Sequence, residues 1–63
     1  MQVSEKAVMD LMRENAALCI LEAEVIVGLK ILDTQDMPRL QVQMKRIVES
    51  LAAIDAVRKK NAQ

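Results

Sequence analysis

Residues 16–32, AALCILEAEVIVGLKIL, hold thirteen apolar residues in seventeen. On a helix advancing about 100° per residue they point in every direction. Leu18, Ile20, Leu21, Val25, Ile26 and Val27 leave no wide polar face. A helix that is apolar all round is buried on most of its sides. The remainder of the chain supplies one further helix as cover, so this stretch predicts a folded unit larger than a single chain.

Length and composition point the same way. Residues 1–63 read as one domain, and a chain of that size rarely buries enough surface without disulfides, a metal or a partner subunit. Cys19 is the only cysteine and there is no histidine, so neither a disulfide framework nor a metal centre is expected. Self-association is what remains. Phe, Tyr and Trp are absent, and Gly and Pro occur once each. A sandwich or barrel would want aromatic residues and many turn residues, whereas Leu, Ile, Val, Met and Ala suit helical bundles.

The helix-forming signals are local and clear. Ser4 is a candidate N-cap, its hydroxyl able to accept from the free amides of the first turn, and Glu5 lies beside the positive helix end. Nothing interrupts a helix from about residue 4 to 32. Gly28 is a lone interior glycine, read as a close approach by a neighbouring helix, with a kink as the alternative. Residues 33–37 (Asp-Thr-Gln-Asp-Met) form the turn, with Asp36 as the next N-cap and Pro38 in the first turn of the second helix, where a missing N–H costs little. So short a connection makes the helices antiparallel neighbours. The second helix runs from about 38 to 60, and Arg58, Lys59 and Lys60 sit at its negative end. Asn61 to Gln63 are expected to fray.

Two kinds of apolar pattern follow. In the second helix Met37, Leu40, Met44, Ile47, Leu51 and Ile54 keep a 3-4 spacing, widened by Val48, and read as a seam of coiled-coil type. Gln41, Gln43, Lys45, Arg46, Glu49, Ser50 and Asp55 read as lying off it. In the first helix Leu11, Leu18, Val25 and Leu32 make one stripe, with Leu21 and Leu29 alongside. Met12, Cys19 and Ile26 make a second, and Ile20 and Val27 a third side. One helix covers one face. The expected architecture is therefore an all-α antiparallel hairpin that self-associates as a dimeric four-helix bundle. Its dimer interface would be Leu18, Cys19, Ile20, Val25, Ile26 and Val27. A strand over 19–32 is the competing reading, and a lone strand flanked by helix signals argues against it.

The chemistry-bearing residues give no catalytic constellation. Glu22 and Glu24 are two apart, about 200° round a helix, so they do not form a carboxylate pair. They read as ion-pair partners across the hairpin, with Glu24 near Arg46 and Glu14 near Arg58. Cys19 has no histidine to activate it and reads as a small buried hydrophobe. Asn15 is a candidate polar residue in the seam. No phosphate loop, metal-ligand spacing or cofactor site is present in the sequence, so no enzyme and no cofactor are expected.

The charge is neutral overall but uneven. Residues 1–37 carry seven acids and three bases, and residues 38–63 two acids and six bases. Two complementary helices account for this, and a basic face for nucleic acid is the alternative. The N-terminus lacks an apolar core of signal-peptide type, and Glu22, Glu24 and Lys30 interrupt 16–32 too closely for a bilayer span. A reduced lone cysteine fits the cytoplasm. The expected function is a small non-catalytic regulator that binds another protein as an adaptor, inhibitor or anti-activator. Val8, Met9 and Met12 are its candidate recognition patch, because flexible Met-rich surfaces suit partner binding. In length and two-helix plan the chain resembles Rop-like hairpin dimers. That resemblance, one of fold alone, implies a nucleic-acid-binding regulator as the alternative, and the basic residues of the second half, Arg39, Lys45, Arg46, Arg58, Lys59 and Lys60, are the candidates for it. A structural subunit of a larger assembly is the third reading.

Overall fold

The computed structural model describes residues 3–63, so Met1 and Gln2 lie outside the description. The described residues form two helices, α1 (Glu5–Thr34) and α2 (Met37–Asn61). Each begins as its sequence requires. The Ser4 hydroxyl accepts from the Ala7 amide at 3.1 Å, and an Asp36 carboxylate oxygen accepts from the Arg39 amide at 3.2 Å. These bonds satisfy amides that have no partner within the helix.

The turn is tighter than the sequence reading of 33–37. α1 continues through Asp33 and Thr34, and Met37 already belongs to α2. Thr34 donates its hydroxyl to the Ile31 carbonyl at 2.6 Å, which ties it into the last turn of α1. The reversal falls on Gln35, in the left-handed region at φ 60°, whose amide donates to the Leu32 carbonyl at 3.1 Å. The strand reading of 19–32 is not what forms, since the segment is helical throughout. α1 passes Gly28 as one continuous helix, and Gly28 is a close approach. A Cβ built there would lie 3.1 Å from Ile47 Cδ1 and 3.7 Å from Gln43 Cγ.

The seam between the helices has a strict seven-residue repeat. On α1 the covered positions are Asp10, Glu14, Ala17, Leu21, Glu24, Gly28 and Ile31. On α2 they are Leu40, Gln43, Ile47, Ser50, Ile54, Val57 and Asn61. Gly28 stands opposite the larger Gln43 and Ile47 in this register. The helices thus approach closely, and the seam tolerates polar groups because the main chain of the facing helix accepts from them. Gln43, only 5% exposed, donates its Nε2 to the Glu24 carbonyl at 2.8 Å. Asn61 donates to the Asp10 carbonyl at 3.0 Å and to Glu14 Oε1 at 3.2 Å.

This corrects the seam expected on α2. Leu40, Ile47 and Ile54 are in it, but Met37, Met44, Val48 and Leu51 are exposed. Gln43 and Ser50, expected outside, are inside. Asn61, expected to fray, is the last helical residue and bolts the open end, while Asn15 is exposed beside the seam. Ion pairs of Glu24 with Arg46 and of Glu14 with Arg58 do not form among the described residues. The ion pairs there are Lys6–Asp10, Arg13–Asp10 and Lys59–Asp55, each within one helix. Among the described residues no helix is long and apolar enough to cross a membrane.

Candidate interaction surface

Rotating the seam by one position exposes what the hairpin leaves uncovered. On one flank, one residue after every second seam position of α1, stand Leu11, Leu18, Val25 and Leu32. The matching positions of α2 are Met37, Met44 and Leu51, all exposed. Because the helices are antiparallel, these two rows adjoin. Val25, Leu29 and Leu32 share a groove with Leu40, Met44 and Ile47 above Gly28. At these positions the one charged residue is Arg58, near the open end.

The opposite flank differs in kind. Val27 and Ile31 share a groove there with Arg39, Val42, Gln43 and Arg46. Ile20 continues it along α1, and Arg13 and Lys60 occupy the same flank farther from the turn. The outer side of α1 carries Met12, Cys19 and Ile26, with Cys19 exposed. The six residues expected at the dimer interface therefore lie on three sides of one helix. Leu18 and Val25 belong to the first flank, Ile20 and Val27 to the second, and Cys19 and Ile26 to the outer side. None of the six contributes to the hairpin's own core.

The candidate recognition patch lies at the start of α1. Val8, Met9 and Met12 are all exposed. Asp10 is held by Lys6 at 2.6 Å and by Arg13 at 3.4 Å, and Glu14 by Asn61. Asp10 and Glu14 stand in the seam, on the side of α1 turned away from the patch. Glu22 is exposed and Glu24 half-buried in the seam, so the two carboxylates do not meet. Among the described residues no group of His, Cys, Asp or Glu side chains converges as metal ligands would. No family model matches the chain, and neither a curated protein nor a solved structure matches it.

Proposed function

We propose that this chain is a small non-catalytic regulator that binds another protein, as an adaptor, inhibitor or anti-activator, and works as a homo-oligomer, a dimeric four-helix bundle in the cytoplasm. The observation that carries the reading is the distribution of apolar side chains. Ile31 and Ile54 are the two large hydrophobics buried among the described residues, while Leu, Ile, Val and Met side chains cover the outside of both helices. Exposed apolar surface on this scale marks interaction sites. The seam amides of Gln43 and Asn61 are engaged with main-chain carbonyls of α1, which suits a scaffold more than a reaction centre.

Recognition is assigned to Val8, Met9 and Met12, an apolar centre flanked by Glu5 and Arg13. These residues lie at the far end of α1 from Gly28 and the turn. The test is affinity capture with the native chain as bait, followed by binding measurements on the captured protein. Met9→Ala with Met12→Ala is expected to weaken that binding by about 1–3 kcal/mol, the range of moderate hot spots, with helicity and oligomeric mass unchanged. Loss of the fold in the double variant would return these methionines to the core and overturn the assignment.

The second reading, a nucleic-acid-binding regulator, draws on Arg39 and Arg46 in one groove. Lysine and arginine contacts to phosphates release counterions, so such binding falls steeply with salt. No RNA or DNA binding is expected at physiological salt. Micromolar binding there that declines linearly on a log-log salt plot would reverse the ranking.

A further inference from the structure

The hairpin is a single layer. Its Cα atoms span 50 × 19 × 10 Å, and stable domains are built from two or more layers packed over a common core. It exposes 5312 Å², against about 4,100 Å² for a folded monomer of 7.1 kDa. The excess is on the order of 1,200 Å² per chain, and removing that much from each of two copies falls among obligate dimers.

We infer that the second layer is a second copy of this chain, seated on the flank formed by Leu11, Leu18, Val25 and Leu32 of α1 with Met44 and Leu51 of α2. This rests on the homo-oligomer reading above and adds which face is used. Three observations select the face. Both helices place apolar residues on it at the same seven-residue spacing, so it matches a copy of itself in length and pattern, as a two-fold interface requires. It is close to free of charge. The opposite flank carries Arg39, Arg46 and Lys60, and two copies meeting there would face like charges, which disfavours association. The N-terminal Met9 and Met12 stay outside the chosen face and remain open to another protein.

Val25 and Val27 make the test. They are the same residue type on opposite flanks and nearly equally exposed in the hairpin, at 39% and 42%. A difference between them therefore reports what covers the hairpin. Val25→Cys and Val27→Cys are made separately in a Cys19→Ala background, and the native proteins are labelled with iodoacetamide alongside sedimentation of each. The expected result is an oligomer in which position 25 reacts about tenfold or more slowly than position 27, since coverage limits thiolate access, with the difference lost once the protein is diluted to monomer. Faster reaction at 25, or equal rates in an oligomer, overturns the choice of face and leaves the homo-oligomer reading standing. Rapid labelling at both positions in a sedimenting monomer overturns both.

Discussion

At Gln35 the chain reverses with φ at 60°, a conformation that costs a residue with a Cβ and favours glycine after a helix end. Gln35→Gly is expected to stabilise the fold by about 0.5–1 kcal/mol, read as a higher urea midpoint at fixed protein concentration. At Gly28 two effects oppose each other. Alanine is favoured over glycine in a helix by about 1 kcal/mol, while its Cβ would sit 3.1 Å from Ile47 Cδ1. That contact is the far end of a flexible, half-buried side chain, so it gives way. Gly28→Ala is therefore expected to stabilise, by less than about 1 kcal/mol. Gly28→Val adds branches with nowhere to go and is expected to cost about 1–3 kcal/mol, as overpacked sites do. Equal destabilisation by both would mean that the helices cannot part even slightly here.

Between the elements, the polar seam is the feature to test. Gln43→Ala removes the bond to the Glu24 carbonyl and leaves a void against Gly28, so a loss of about 1–3 kcal/mol is expected in chemical denaturation. Gln43→Leu fills the same space without the bond and is expected to stay within about 1 kcal/mol of the native chain. The caps, the proline and the antiparallel reversal were legible in the sequence, because Ser4, Asp36 and Pro38 act through bonds within a few residues. The seam was not. Apolar spacing finds faces that need cover, and on α2 it joined Leu40, Ile47 and Ile54 to Met37, Met44 and Leu51, which stand one flank away. What separates the two sets is long-range. Gln43 is covered through a carbonyl nineteen residues back, and Asn61 is held through one fifty-one residues back. No local pattern carries either. The three apolar sides of α1 were legible as stripes, but α2 takes none of them. It packs on the row of Ala17, Leu21, Gly28 and Ile31.

For the whole molecule, a one-layer hairpin with its large hydrophobics outside gains little from its own seam. Its helicity is expected to depend on association, and hence on concentration. Leu18→Asp with Met44→Asp places charges in the apolar middle of the first flank, and an unpaired charge buried there would cost several kcal/mol. The expected outcome is monomer with much reduced helical circular dichroism. Ile20→Asp lies on the other flank, outside the face assigned to the second copy, and is expected to leave mass and helicity near native. The most direct measurement is sedimentation equilibrium of the native chain at micromolar concentration, with helical circular dichroism on the same samples. The account predicts a species of twice the 7.1 kDa chain mass, with helicity falling as dilution dissociates it. A fully helical monomer that persists through the dilution would contradict it.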